Sequence, residues 1–363
     1  MFSNLFMIEL STIIDLVTFG SSIMFGILFF SSKIKNNSGN FYLSLFLFCI
    51  GYITFKGIVY DIYEREIFQF DVSLFLLVFL FFYLNKTIGR ILNYWWYLLF
   101  VPGVLINLTT YFKNLNQILI LIHFHQIFYL FTLFLIVYFF KILHVHNSHI
   151  KEFYSNIESK TLSWLKLILL IVFFFHFFEF IEALIPTKRA DELEILFSII
   201  YSLIPFSLVY LIGLNGFYQF EIFSGISSNY FIDNFNKNMF VQSKKQSKND
   251  FEQLKQTIII ERLYAKKNLT LYDLSIALKM KKRVISILIN DNTDTTFYHF
   301  INQLRIEEFK KHLIEVEHQK FTLFGLAQEV GFSSKSTFYT SFKSIEGMTP
   351  KQYQSKLKKS VSA

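Results

Sequence analysis

Residues 9–215 are built from apolar runs of about membrane length, and this grouping limits the chain more than any other feature. A spanning helix needs about 20 mostly apolar residues, because lipid offers no partner to backbone N–H and C=O groups. Seven segments meet this approximately: 9–31, 41–60, 70–85, 93–111, 118–141, 163–185 and 193–214. The expected domain is therefore a seven-span helix bundle over 1–215. The 48 Phe residues fit an AT-rich coding bias as well as burial, but such a bias does not sort apolar residues into runs. The first segment lacks a basic leader and carries Glu9 and Asp15, so it reads as an uncleaved helix.

Charge sets the orientation. One set of alternate loops holds Lys33, Lys35, Lys86, Arg90, Lys141, Lys151, Lys160 and Lys166. The other holds Arg65, Lys113, Lys188 and Arg189 among seven acidic residues, Asp61 and Glu194 included. The basic set is expected on the cytoplasmic side of the inner (cytoplasmic) membrane. Seven spans then leave the N-terminus outside and the C-terminus in the cytoplasm. The tail is independently basic: residues 241–363 carry 21 Lys and Arg against 12 Asp and Glu, while the rest carries 14 against 15. A basic soluble tail suits a polyanionic partner, nucleic acid or an anionic membrane.

Charges at membrane depth are costly and usually face the bundle interior or a wet cavity. Asp15 and Lys56 lie at similar depths below the outer surface, so they read as a buried pair, either glue between neighbouring helices or part of a sensor pocket. His176, Glu179 and Glu182 recur every three residues and share one face near the outer leaflet. They read either as a pocket open to the outside or as interfacial hydrogen bonding. His144, His146 and His149 lack the carboxylate or Cys companions of a metal site, and Cys49 is the only cysteine. No cofactor is implied. Enzyme chemistry finds no support, because neither H-E-x-x-H nor G-x-S-x-G occurs.

Residues 216–250 read as a juxtamembrane linker, polar toward its end. Asp250 is placed to cap a helix over 251–265. A short amphipathic helix follows over Leu271–Leu278, then a break at Lys279–Lys281, then a basic helix from Lys282 to about Asn290. After a long helix over 296–314 the pattern repeats: Thr322–Val330, Gly331, then Ser334–Lys343. Gly331 supplies the positive φ of the turn. Ala277 and Ala327 are expected at matching close crossings. Helix, tight turn, helix, occurring twice, is a pair of helix-turn-helix units.

Residues 251–356 resemble the AraC/XylS-type DNA-binding domain. The resemblance rests on Phe300-Ile301-Asn302 with Leu304-Arg305-Ile306, on Leu326-Ala327-Gln328-Glu329-Val330-Gly331-Phe332, on Ser336, Phe338 and Phe342-Lys343, and on Gly347-Met348-Thr349-Pro350 with Tyr353. It implies seven helices, two helix-turn-helix units and a long central helix. It also implies that 282–290 and 334–343 enter successive major grooves, about 34 Å apart. Lys282, Arg283, Ser286, Ile287 and Asn290 would face outward on the first, and Lys335, Ser336, Thr337, Thr340 and Lys343 on the second. Arg283, Asn290 and Lys335 suit base edges, and Lys343 suits phosphate. Phe332, Phe338 and Phe342 belong to the core. Lys281 stands where the family often has a capping Ser or Thr, and Asp294 stands near a usual glycine.

The expected protein is all-α, a polytopic membrane helix bundle with a C-terminal DNA-binding domain over 251–363. The expected function is that of a membrane-embedded one-component transcription regulator. Its partners would be double-stranded promoter DNA, the lipid bilayer and an unidentified ligand, with a homodimer suited to the short site that one tail reads. The other reading is a transporter or channel-like membrane protein with a regulatory DNA-binding tail.

Overall fold

The structure, a computed structural model, describes residues 2–31, 39–65, 67–111, 124–158, 160–184, 187–223, 244–315 and 322–361. Among these it is all-helical, with fourteen α-helices and no strand, as expected. They divide into two compact units. One comprises 1–143 and 162–235, the other 144–161 and 236–363.

The first unit is built from α1 (Phe2–Ser31), α2 (Gly39–Tyr63), α3 (Ser73–Thr87), α4 (Val101–Tyr111), most of α5 (Phe124–Ile150), α6 (Ser163–Leu184) and α7 (Thr187–Phe223). Among the described residues, four stretches are long and apolar enough to cross a membrane: Leu10–Ser31, Gly39–Tyr63, Leu130–Ile150 and Phe197–Gly216. Two of the other expected spans fall on shorter apolar helical stretches, Ser73–Thr87 and Tyr94–Leu108, and the remaining one falls on α6. The helix in the third expected span starts at Ser73, whose N–H donates to Asp71 Oδ1 (2.8 Å). It ends where Gly89 turns the backbone to a φ of 74°. The fourth opens as a 3-10 helix, Tyr94–Phe100.

The interior of this unit is aliphatic and aromatic: Leu43, Phe46, Leu47, Leu80, Phe81, Phe82 and Phe139 are buried. α1 and α2 approach closely enough that a Cβ on Gly51 would meet Ser22 Oγ at 2.6 Å. The outward faces are apolar too. Ile13, Leu16, Met24, Ile27 and Phe30 of α1 and Leu130, Phe134 and Val137 of α5 are exposed. Water would penalise so continuous an apolar exterior, whereas a lipid environment would not. One pair of polar residues bonds reciprocally near the edge of this unit. Asp71 N–H donates to Asn107 Oδ1 and Asn107 Nδ2 donates back to Asp71 O, each at 2.7 Å.

The second unit holds α8 (Lys244–Ile260), α9 (Leu271–Ala277), α10 (Lys282–Thr293), α11 (Phe297–Glu315), α12 (Leu323–Glu329), α13 (Lys335–Glu346) and α14 (Pro350–Val361). The resemblance implied seven helices, and seven are described. Helical structure enters the stretch read as a linker from both sides, since α7 runs to Phe223 and α8 begins at Lys244. Asp250 therefore lies within α8 rather than capping it, because Lys and Gln on its N-terminal side are good helix formers. α8 also stops earlier than expected: Arg262 turns left-handed (φ 49°) before a 3-10 turn at Leu263–Ala265.

Two apolar clusters fill this unit. Phe251, Leu254, Ile258, Leu274, Ile285, Ile289 and Phe300 form one, around the first helix-turn-helix. Ile306, Phe309, Leu326, Val330, Phe332, Phe338 and Phe342 form the other, around the second. α11 contributes to both and so joins the two halves.

Segment 144–161 belongs to this unit although it lies between two apolar helices in sequence. It is docked by its backbone. Leu271 N–H donates to Phe153 O (2.9 Å), Ser155 N–H to Leu269 O (3.0 Å) and Tyr298 N–H to Lys151 O (2.9 Å). Phe153 packs against the first apolar cluster.

Candidate nucleic-acid interface

Each helix-turn-helix unit starts from a capped helix. Thr270 Oγ1 accepts the Asp273 N–H, and Asp273 returns a bond to the Thr270 N–H, a reciprocal capping box. Burial alone would raise the Asp273 carboxyl, but bonds from Lys266 (2.8 Å) and Thr270 outweigh it and hold the group below the usual carboxylate range. In the second unit Thr322 Oγ1 accepts the Gly325 N–H (3.0 Å).

The turns match as well. Lys279 (φ 52°) and Gly331 (φ 102°) stand at the same distance past their caps, both left-handed. Gly331 is required twice over, since a Cβ there would meet Tyr264 O at 2.7 Å. Counted from the same caps, the fully buried Ala327 corresponds to Ser275. The expected match of Ala277 with Ala327 is therefore wrong, and Ala277 is exposed. The two turns do not carry their alanines in register, which the helix pattern alone left undetermined.

The two groove-reading helices begin differently. Ser334 caps α13 by accepting the Thr337 N–H (3.0 Å). Lys281 precedes α10 with no side-chain cap, as the departure from the family pattern implied. At their far ends Asp294 (φ 52°) and Gly347 (φ 70°) play one role, the left-handed stop.

On α10, Lys282 and Arg283 are exposed and Ser286 and Ile287 half-buried. On α13, Lys335, Ser336, Thr340 and Lys343 are exposed. Lys282 leans on Tyr272 and Lys335 on Tyr339, with each ammonium under 6 Å from the ring centre (5.9 and 5.8 Å), which limits the range of both cations. Phe332, Phe338 and Phe342 are fully buried, as expected.

Two expected contacts are placed differently. Thr337 is buried, and its Oγ1 donates to Asn156 Oδ1 (3.1 Å). Asn290 is half-buried, and its Nδ2 donates to Glu152 Oε2 (3.3 Å). Both are engaged by segment 144–161, whose docking no local pattern signals.

Residues 274–356 match the family model described as a helix-turn-helix domain. The similarity is confined to this part of the chain. The match runs from inside α9 to inside α14, so it takes in both units and neither α8 nor the apolar half. No curated protein and no solved structure matches the chain.

Of the residues expected in a membrane pocket, Asp15 is bonded by Ser202 Oγ of α7 (3.1 Å) rather than held by Lys56. Lys56 lines a cavity of about 490 Å³ among α2, α3, α6 and α7, together with Tyr52, Asp71, Phe175, Tyr201 and Leu208. The side chains of His176, Glu179 and Glu182 lie outside the described residues.

Proposed function

We propose that the protein is a membrane-embedded one-component transcription regulator. α1–α7 form its membrane domain, and α8–α14 bind promoter DNA on the cytoplasmic side. The observation that carries this reading is the helix-turn-helix match joined in one chain to four helices of membrane length and apolarity. Positive-inside counting places the basic C-terminal unit with the chromosome.

In this reading Arg283 and Lys335 address base edges. Lys282, Ser286, Ser336 and Thr340 line the same faces, and Lys343 meets phosphate. The cue enters from the bilayer. The cavity lined by Lys56 and Asp71 is mostly apolar, so it suits an amphiphile with a polar head. A homodimer would lengthen the DNA site beyond what one tail reads.

The test uses the full chain in nanodiscs and a duplex pool. Binding should weaken steeply as salt rises, because phosphate neutralisation releases counterions. Salt-insensitive binding, or a topology reporter at Ala363 that is active outside the cytoplasm, would overturn the reading.

A further inference from the structure

Segment 151–158 has no role in the scheme so far, yet it is among the most heavily bonded loops in the C-terminal unit. It meets both helix-turn-helix units through neighbouring residues. Ser155 Oγ donates to Leu269 O (2.8 Å), next to the cap of the first unit, and Glu152 accepts from Asn290 of α10. Asn156 Nδ2 donates to Asn268 Oδ1 (3.0 Å) on the first side and to Ser333 Oγ (2.6 Å) on the second. Asn156 Oδ1 accepts from Thr337 of α13. The central helix joins in, with Asn302 Nδ2 donating to Ser155 O (3.1 Å).

We propose that segment 151–158 is a strap that holds the two helix-turn-helix units in the relative placement needed to read successive major grooves, and that the membrane helices regulate DNA binding by seating or unseating it. The proposal rests on the DNA-binding reading above. Two reading helices on one duplex must keep a fixed separation, and a brace bonded to both restricts how they move. The seated strap leaves Lys282, Arg283, Lys335, Ser336, Thr340 and Lys343 exposed. The strap engages only Asn290 and Thr337 of the expected contacts, so in this proposal seating favours binding by fixing the two faces that stay open. Covalent continuity supplies the link to the membrane domain, since the strap follows Ile150 of α5 and leads into Ser163 of α6. In this proposal a rearrangement of either helix changes the strain on the strap and biases it between the bonded arrangement and a released one.

The test again uses the full chain in phosphatidylcholine–phosphatidylglycerol nanodiscs. Spin labels go on Ser286→Cys and Ser344→Cys in a Cys49→Ser background, and Asn156→Ala removes the strap's side-chain bonds to Asn268, Ser333 and Thr337, the last two being those to the second unit. The label–label distance distribution should be narrow with Asn156 present and clearly broader without it. An unchanged width overturns the proposal. In the second arm, affinity is measured for duplexes enriched from a random pool by the unmodified chain. Asn156→Ala should weaken binding about tenfold, the scale of one or two lost hydrogen bonds. Unchanged or tighter binding also overturns the proposal, tighter binding by showing that the strap inhibits. If the unmodified chain enriches no duplex, the DNA-binding reading falls instead, and the distance widths alone decide whether the strap braces the two units.

Discussion

Arg305 Nη2 donates to Ser155 Oγ at 3.2 Å across 150 residues of chain. The same guanidinium donates to Tyr264 O (2.8 Å), Lys266 O (2.9 Å) and Asn302 Oδ1 (3.1 Å), and it lies over the Phe332 ring. It is almost fully buried, and all four acceptors are neutral. Burial pushes its pKa down to about 10, still far above neutrality, so the charge persists. Arg305 thus ties the turn after α8, the central helix, the second cluster and the strap to one side chain.

Arg305→Ala should destabilise the C-terminal unit by at least about 2 kcal/mol, since it leaves the buried Tyr264 carbonyl without its donor and empties the space of a buried side chain. Amide exchange of the full chain should speed up around residues 264–271 and 155 first. Wild-type exchange there would show that the network contributes little.

Removing or adding a cap should move the two reading helices in opposite directions. Ser334→Ala should cost about 1 kcal/mol in α13, while Lys281→Ser should stabilise α10 by a similar amount. Denaturant midpoints of the full-length variants check both signs.

Gly331→Ala should be more damaging than either cap change. It places a Cβ at positive φ and 2.7 Å from the Tyr264 carbonyl, for an expected cost of about 2 kcal/mol or more. Loss of DNA binding should accompany it, with the apolar unit unaffected in detergent melting.

The exposed cations should separate by role. Lys343→Ala should weaken all duplexes alike and reduce the salt slope by about one. Arg283→Ala and Lys335→Ala should relax preference at particular base pairs. Selection from a random duplex pool reads both effects, and identical behaviour of all three variants would refute the assignment.

Acid should loosen the first helix-turn-helix before the second. The folded-state pKa of Asp273 is depressed, so its contribution is complete above about pH 4, the unfolded value, and is lost as pH falls through the folded one. Asp273→Asn should flatten that acid limb, followed by exchange protection of α9. The carboxyl is partly exposed, so the effect will be small.

The membrane-length helices and the tail's double helix-turn-helix follow from the order of residues. An α-helix closes its hydrogen bonds over four residues, and caps act within a turn. So the missing cap at Lys281 and the left-handed Gly331 were read locally, while the caps at Thr270, Thr322 and Ser334 came from the structure. The burial of Phe332, Phe338 and Phe342 was an expectation drawn from the resemblance to the AraC/XylS-type domain.

Tertiary structure alone decided the rest. It gave Asp15 to Ser202 and sank Thr337 beneath the surface on which it was expected. It also laid 151–158 across both reading units. Those contacts join residues more than a hundred positions apart through backbone edges and small amides, which have no period and no signature in composition. Only the packed chain brings them within bonding distance.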